Sequence, residues 1–599
     1  MCDKTTRRPH TFHVPVMGTG FTIDTPLKLA KYGISSVISL VDDVLIEQMR
    51  KLHSEKAGEP YAEISGKDDD HRARRITEYL NLLGRLVKCQ IEALRCSDFD
   101  SDSEITRYYE LLPDSPLKAR YHEMIECENV EEKARIQQEL RENVVAGSID
   151  VNIMTKLDRD NYRDGKKLAA EFSDALAALR GHANSILSSS MVFSAGTNPR
   201  LYSYIAKFKD FFPDDAGSLK KKIVLKVSDY RSALIQGKFL ARKGLWVSEF
   251  RVESGVNCGG HAFAGNGQLL GPVLEEFKQK KHELVETLHK MYNKALSALD
   301  RFTTDAPREV HITAQGGIGT HEEDELLFKR YGVDSTGWCT PFMLVPEVTS
   351  VDEKHLERLI DATEEDVCLS TGSPMGIPFW SLRTSASEEA RRRRIEEGKP
   401  GSACPKGFLA TSKEFGEKPL CTASRAYQRK KLNEIRQNGF TEEQLEAVEE
   451  EVLSKACICH DLGGGSTIKN NIDEKATTAV CCGPNIVNFS RRVTLEEMIG
   501  HIYGRLSLLT NKERPHMFIR EIKLYLEYLR SEIQKHSLEL SSQSPKYFSD
   551  FVENVSAGFD YYRSLAEEFF GDTRERFLSE LNALQLELEW IAQATPSPA

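Results

Sequence analysis

Two groups of residues in this 599-residue sequence have types and spacings that suit chemistry. The first is the stretch VESGVNCGGHAF (252–263), where two glycines directly precede His261. Glycine has no Cβ, so its backbone lets a large planar or phosphorylated ligand approach closely. We therefore expect His261 to lie against a flat ligand. The alternative is a hydrogen-bonded histidine that ends a strand.

The second group is a set of cysteines in four short segments, SACPKG, PLCTASR, ACICHDLGGG and AVCCGPN. In a reducing compartment such a set favours metal or redox chemistry over disulfides. Its cysteines lie beside glycine or proline, in turns that suit a [4Fe–4S] cluster, and the best ligand set is Cys404, Cys421, Cys459 (or Cys457) and Cys481 (or Cys482). The spacing matches no established ligand pattern, so zinc, with His460 nearby, and unliganded thiols are the alternatives.

Eight strand-like runs precede residue 345, and amphipathic helical stretches separate most of them. They begin near residues 12, 35, 148, 190, 221, 245, 309 and 333. A strand followed by a helix, repeated, predicts a parallel sheet, and eight such units predict an α/β fold, the (β/α)₈ TIM barrel. An open doubly wound sheet is the alternative.

The remaining sequence predicts additions to this barrel. Residues 1–349 form the predicted barrel domain, and residues 45–148, which are charged and helix-periodic, form a helical insertion. Residues 350–490 predict an irregular Cys-rich, metal-binding module, and residues 491–599 predict a helical C-terminal domain. The insertion is either a cover over the substrate or a contact in a homo-oligomer, and the sequence favours neither.

Charge and hydropathy exclude several classes of protein. The net charge of −11 argues against a nucleic-acid partner. No apolar run reaches the roughly 20 residues of a membrane helix, and MCDKTTRRPHTFHVPV lacks the apolar segment of a secretory signal. We therefore expect a cytoplasmic protein with no membrane partner.

In a β/α barrel the active site lies at the carboxyl ends of the strands. One such end, AQGGIGTHEED, places Gly316 and Gly317 before a helix that begins near Thr320. Backbone N–H groups at a glycine turn and a helix start predict a phosphate site, to which Cys339 and Thr340 after the eighth strand would contribute. Alternatively, Thr320 simply caps the helix and the acidic residues after it complement the helix dipole.

Six segments in this order resemble the FMN-dependent nitronate monooxygenases and the related barrel enoyl reductases of polyketide and polyunsaturated fatty acid synthases. The segments are HVPVMGTGFTIDTPLKLAKYG, DVNIM, VLKVSDYRSALIQGKFLARKG, VESGVNCGGHAF, ITAQGGIGT and YGVDSTGWCTPFM. The resemblance covers roughly residues 10–345 without the insertion. It implies two catalytic residues: His261 as base or proton donor beside the flavin, and Lys226 as a charge that stabilises reduced flavin.

The resemblance also implies which residues hold FMN. Met17 and Gly18 would touch the ring, Asn152 would bond its polar edge, and Gly259 and Gly260 would give the isoalloxazine room. The phosphate would be held by Gly316, Gly317, Cys339 and Thr340. The chain departs from the family at two of these places, with Cys339 where glycine is usual and Cys258 where alanine or serine is usual.

Together these features predict an FMN-dependent oxidoreductase that acts on a small-molecule substrate. An iron–sulfur cluster would pass single electrons, and an electron-donor protein or NAD(P)H would supply them. The alternatives are an NAD(P)H-dependent flavoenzyme like the enoyl reductases and a non-catalytic, metal-stabilised scaffold. Bound flavin distinguishes the first two from the third.

Overall fold

The structure is a computed structural model that describes residues 8–257, 259–262, 265–404 and 406–596. Cys258, one of the two departures from the family pattern, lies outside the described residues. The chain begins with a barrel, continues into a segment that crosses the mouth of the barrel, and ends in a group of helices.

Eight parallel strands form a closed barrel, so the predicted (β/α)₈ fold is confirmed. They are β1 (Phe12–Val14), β2 (Ser35–Ser39), β3 (Ile149–Ile153), β4 (Ser189–Phe193), β5 (Lys221–Val227), β6 (Val247–Glu253), β7 (His311–Gln315) and β8 (Ser335–Gly337). Around the barrel each strand pairs with the next along the chain, and β1 closes the ring by pairing with β8. Each strand lies within its predicted run or one residue from it.

Strand β1 is much shorter than its apolar run, which continues to Phe21. Pro15 follows directly after Val14, and proline has no N–H to donate to a neighbouring strand. The chain therefore leaves the sheet early, and residues 15–19 turn across the end of the barrel, where Met17 and Gly18 line a cavity.

Helices follow the strands and cover the outside of the barrel. They are Thr25–Leu29, Asp174–Ala183, Pro199–Ile205, Tyr230–Ala241, Leu270–Ala298, His321–Tyr331 and Glu353–Ile360. Between β2 and β3 the predicted insertion is present as the helices Asp43–Ala57, His71–Cys96, Glu104–Leu111, Pro116–Glu126 and Val130–Asn143. A two-residue ribbon, Tyr162–Arg163 with Lys166–Lys167, follows β3.

The Cys-rich segment is more regular than the sequence suggests. It contains an antiparallel hairpin, β9 (Val367–Ser370) with β10 (Phe379–Leu382). Its helices are Ala386–Glu396, Arg425–Ile435, Glu442–Ser454, Ile458–Asp461 and Gly464–Lys469. The segment lies across the mouth of the barrel, because Phe379 forms a β-bridge with His261. The predicted domain boundaries at 349/350 and 490/491 stay predictions.

The chain ends in the helices Leu495–Ile502, Met517–Ser537, Pro545–Phe569 and Arg574–Ala592. Apolar side chains of these helices belong to the same core as the barrel side chains, for example Phe518, Phe551 and Leu581. In the part of the chain that the structure describes, no helix is both long enough and apolar enough to cross a membrane.

Candidate active site

A cavity opens at the carboxyl ends of the strands, where a β/α barrel places its active site. Its volume, measured as the space open to a water-sized molecule, is about 150 Å³. Of the residues predicted to bind flavin or act in catalysis, those that line it are Met17, Gly18, Asn152, Lys226, Gly259, Gly260 and His261. The carboxyl ends of the strands therefore bring together residues that lie up to 244 positions apart in the sequence (17 to 261).

His261 is fixed by the segment that crosses the barrel mouth. Its Nε2 lies 2.7 Å from the Oγ of Ser373, a fully buried residue before β10. Its ring meets the ring of Phe379 edge to face at 5.1 Å between centroids. On either side of it, Trp380 N–H donates to the carbonyl of Gly260 and Ala262 N–H donates to that of Pro378. His261 is thus hydrogen-bonded and lies in an isolated β-bridge, eight residues after the end of β6.

The protonation state of His261 follows from its surroundings. Burial, followed by the positive charges of Lys156 and Lys226, lowers the pKa of His261 to about 4. At neutral pH the imidazole is therefore uncharged. The Oγ of Ser373 already accepts the N–H of Met375 at 3.2 Å. A hydroxyl has one proton and two lone pairs, so Ser373 can pair with His261 Nε2 in either tautomer of the imidazole.

Lys226 projects from β5 into the same cavity and is paired. Its Nζ lies 2.8 Å from Glu253 Oε1, and Gln315 Nε2 donates to the same oxygen at 2.6 Å. Lys226 is thus both a salt-bridged barrel residue and a cavity residue. Glu253 and Gln315 were not among the predicted site residues, although Glu253 is the last residue of β6 and the rule of strand ends could have found it.

The buried oxygens in the cavity wall that have no hydrogen-bond partner among the described residues include Asn152 Oδ1 and Thr19 Oγ1. A buried polar atom left without a partner costs about 1–3 kcal/mol. Such atoms in a cavity wall suit a polar ligand, and the polar edge of a flavin ring would satisfy them. Gly260 is similarly open, since a Cβ built on it would meet only the Phe379 ring, at 3.8 Å. These residues fit FMN.

Gly18 and Gly259 have a different reason to be glycine. A Cβ on Gly259 would lie 2.1 Å from the carbonyl oxygen of Cys481, and one on Gly18 would lie 3.3 Å from the side chain of Leu462. Both glycines have positive φ, 102° at Gly259 and 57° at Gly18. At these two positions the bare backbone admits the chain's own Cys-rich segment, in addition to facing the cavity.

A second, smaller cavity contains the residues predicted to hold the phosphate. Its volume, measured in the same way, is about 10 Å³, and it is lined by all four of them, Gly316, Gly317, Cys339 and Thr340. Asn257 lines both cavities, so the two are neighbours. Gly316 and Gly317 have φ values of 99° and 83°, and the hydroxyl of Thr340 accepts the N–H of Gly483 at 3.2 Å. The four residues predicted to hold the phosphate therefore lie together, beside the residues predicted to hold the ring.

The start of the helix His321–Tyr331 is already capped by the protein. Thr320 Oγ1 accepts the N–H of Glu323, and Glu323 Oε2 accepts the N–H of Gly319 at 2.8 Å. This is the capping alternative from the sequence, and it leaves Gly316, Gly317, Cys339 and Thr340 as the phosphate candidates. Arg514, which no sequence pattern marked, pairs with Glu323 at 2.6 Å and donates to the carbonyl of Gly317 at 2.8 Å.

The cysteines separate into two places. The thiols of Cys404, Cys457 and Cys459 hydrogen-bond to one another, and Cys421 packs in the same apolar cluster as Cys459. Gly407 N–H donates to Cys404 Sγ at 3.2 Å. Cys481 lies elsewhere, beside Gly18, with its Sγ 3.5 Å from where a Cβ of that glycine would be. Cys459 and Cys481 both line the large cavity.

The surroundings of these thiols set their ionisation. Hydrogen bonds from Cys457 and Cys459 hold the pKa of Cys404 well below its usual range. The hydrogen bond to Cys404 raises the pKa of Cys457 to about 12, and burial raises the pKa of Cys421 to about 11 and that of Cys481 to about 12. Among the described residues, no group of three or more His, Cys, Asp or Glu is arranged to hold a metal ion. The iron–sulfur cluster and zinc therefore stay predictions.

Comparison with known proteins adds a distant structural likeness. The chain matches no protein-family model and no curated protein. The structure of FabK from Thermotoga maritima is similar with a TM-score of 0.34 and 13% identity over 87% of this chain and 95% of that one. The enoyl reductase domain of MlnA, from the macrolactin biosynthesis cluster of Bacillus amyloliquefaciens, has a TM-score of 0.33 and 14% identity over 63% and 83%. Likenesses of this size carry no argument about function.

Proposed function

We propose that this protein is an FMN-dependent oxidoreductase, similar in chemistry to the nitronate monooxygenases, that acts on a small molecule. One observation carries the proposal: Asn152, Lys226 and His261 meet in one cavity, next to a glycine-lined cavity that contains Gly316 and Gly317. Perturbed or paired ionisable groups in a deep cavity at strand ends are typical of barrel active sites.

The residues present divide the binding of FMN between them. Met17, Asn152 and Gly260 would hold the ring, and Gly316, Gly317 and Thr340 would hold the phosphate through backbone N–H groups and a hydroxyl. FMN, when bound, supplies the acceptor for a hydride or an electron pair from the substrate. The guanidinium of Arg514 contacts the carbonyl of Gly317 and is paired with Glu323, so it holds the phosphate residues in place without adding net charge.

The catalytic roles follow from the two ionisable side chains in the cavity. The uncharged imidazole of His261 can accept a proton from the bound substrate, or donate its N–H hydrogen to an oxygen of the substrate. The ammonium of Lys226, held by Glu253, stabilises negative charge that develops beside it. Phe379, Met375 and Ile377 cover the cavity with apolar side chains and so limit the access of water.

A metal centre is a separate part of the proposal. An iron–sulfur cluster, or zinc in its place, is supported by the contact of Cys404, Cys457 and Cys459, with Cys421 packed beside Cys459. No described group is arranged to hold an ion, so no electron-transfer step is assigned to it. Iron, sulfide and zinc analysis of protein purified without oxygen tests this part independently of the flavin.

The first test is an ultraviolet–visible spectrum of the full chain purified without oxygen, before and after dithionite and after reconstitution with FMN. We expect a flavin spectrum that dithionite bleaches, and bleaching by an alkyl nitronate in the absence of dithionite. Bleaching by NAD(P)H, with reoxidation by an enoyl thioester, would assign the enoyl reductase alternative instead. A colourless protein that takes up no FMN would leave the scaffold alternative and refute the proposal.

A further inference from the structure

The loop that carries His261 is held at both ends by one carboxylate from the C-terminal helices. We call residues 255–269 the glycine loop; within it, 258, 263 and 264 lie outside the described residues. Glu521 Oε1 accepts the N–H of Gly255 at 3.0 Å, and Glu521 Oε2 accepts the N–H of Leu270 at 2.9 Å. Glu521 is 1% exposed and lies on the helix Met517–Ser537, far from the barrel in sequence.

Other residues of the C-terminal helices hold the same loop. Tyr525 donates its hydroxyl to the carbonyl of Gln268 at 3.1 Å, and Asn554 Nδ2 donates to the carbonyl of Asn266 at 2.7 Å. A Cβ on Gly255 would lie 2.1 Å from the Tyr525 ring, so the fit there is close. The opposite side of the loop is held by β10, through the bridge between His261 and Phe379.

We infer that Glu521 is a positioning residue for His261, because its two oxygens fix both ends of the loop that presents the histidine to the cavity. This inference rests on the proposed function, in which His261 contacts the substrate. Glutamine at 521 would have nearly the same shape but only one accepting oxygen. Its amide NH₂ would face the N–H of either Gly255 or Leu270, so one buried donor would lose its partner.

Loss of this positioning should affect kcat and KM differently. A small displacement of a catalytic group costs rate rather than substrate affinity, and a 1 Å shift is worth up to roughly 100-fold. We expect Glu521→Gln to lower kcat by about 10- to 100-fold with little change in KM. A residue that only stabilises the fold would lower the melting temperature and leave kcat of the folded protein unchanged.

The experiment compares Glu521→Gln with Glu532→Gln in the full chain loaded with FMN. Glu532 is the matched control, since it lies on the same helix, is 9% exposed, and accepts from Lys535 and Ser541 rather than from the loop. Turnover of an alkyl nitronate, with oxygen as the oxidant that restores the flavin, gives kcat and KM. Hydrogen–deuterium exchange of peptides that cover 253–272 gives a readout independent of activity.

Faster exchange over the glycine loop and a lower kcat in Glu521→Gln, with neither change in Glu532→Gln, is the expected result. FMN-loaded Glu521→Gln with control-like exchange and control-like kcat would overturn the inference. If the wild type takes up no FMN, the proposed function fails, and the exchange comparison still decides whether Glu521 fixes the loop. If Glu521→Gln does not fold, Tyr525→Phe combined with Asn554→Ala replaces it, with a smaller change expected in the same direction.

Discussion

The buried ion pair between Arg514 and Glu323 joins the C-terminal helices to the helix that follows β7, and its removal should be costly. The two side chains are each 3% exposed and their charged atoms are 2.6 Å apart. Arg514→Met leaves the carboxylate of Glu323 buried with the backbone N–H groups of Gly319 and Met517 as its donors. It also removes the hydrogen bond to the carbonyl of Gly317.

The size of the effect can be worked from these values. At 2.6 Å and an effective dielectric constant of about 20, two unit charges attract by roughly 6 kcal/mol. Desolvation of both charges offsets part of this, and the loss of one partner from a buried pair costs about 3–5 kcal/mol. We therefore expect Arg514→Met to lower the free energy of unfolding by about 3–5 kcal/mol. Arg514→Met with Glu323→Gln should lose less than the sum of the single changes, with a coupling of about 2 kcal/mol or more.

The dependence of the free energy of unfolding on pH gives a second test of the same ion pair. Burial alone would raise the pKa of Glu323, but the charge of Arg514 and the hydrogen bonds to the carboxylate lower it below its ordinary 4.5. The stability that comes from this shift is fully present above pH of about 4.5 and is lost as the pH falls through the lower pKa of the folded state. In Arg514→Met burial acts on Glu323 without the opposing charge, so the folded-state pKa rises and this loss becomes smaller. The difference in stability between the wild type and Arg514→Met should therefore be smaller at pH 4 than at pH 7.

The assay is urea unfolding of the wild type, both single variants and the double variant, at pH 7 and at pH 4 to 5. The control cycle uses Lys280 and Glu276, an exposed pair 2.7 Å apart, for which a coupling of about 0.5 kcal/mol is expected. Equal coupling in the two cycles would refute the reasoning, because it would mean that Arg514 and Glu323 do not attract each other in a water-excluded environment.

Three further predictions concern the cavity. Asn152→Ala should weaken FMN binding about tenfold, because one hydrogen bond of roughly 1.4 kcal/mol is lost. Fluorescence titration measures the affinity for FMN, and an unchanged affinity would show that Asn152 does not contact the flavin. The pKa of His261 is about 4, so His261 is uncharged above that pH. We expect kcat to be independent of this group between pH 6 and 8 and to fall as the pH approaches 4. A pH profile of kcat tests this: His261→Gln should lose the fall at low pH, and an equal fall in the variant would contradict the prediction. Gly259→Ala, whose Cβ would lie 2.1 Å from the Cys481 carbonyl, should lower the melting temperature far more than Gly260→Ala, and equal melting temperatures would contradict the packing described.

Much of the fold was predictable because its signals are local. A barrel strand is buried on both faces, so it reads as a short apolar run, and every residue of β3 and of β4 is in fact buried. The strand ends then indicated the cavity residues, since parallel strands bring their carboxyl ends to one edge. The hairpin of β9 and β10 was missed because STGSPMGIPFW reads as glycine- and proline-rich loop rather than as two strands.

What the sequence could not predict are contacts between distant residues. Ser373 lies 112 positions from His261, Glu521 lies 266 positions from Gly255, and Arg514 lies 191 positions from Glu323. No periodicity or spacing connects such pairs, and only the folded chain brings them together. The same applies to the cysteines, where spacing left Cys457 and Cys459 as alternatives although the structure places both against Cys404.

Three glycines of the glycine loop limit how this protein can be altered. Gly255, Gly259 and Gly267 each lack room for a Cβ because of an atom that the later chain supplies, from Tyr525, Cys481 and Phe551 respectively. At these three positions the barrel sequence is therefore restricted to glycine by segments that follow the barrel. A barrel grafted from another protein would need glycine at the same three places before residues 350–599 could close over it. A barrel freed from those residues would lose the packing reason for all three.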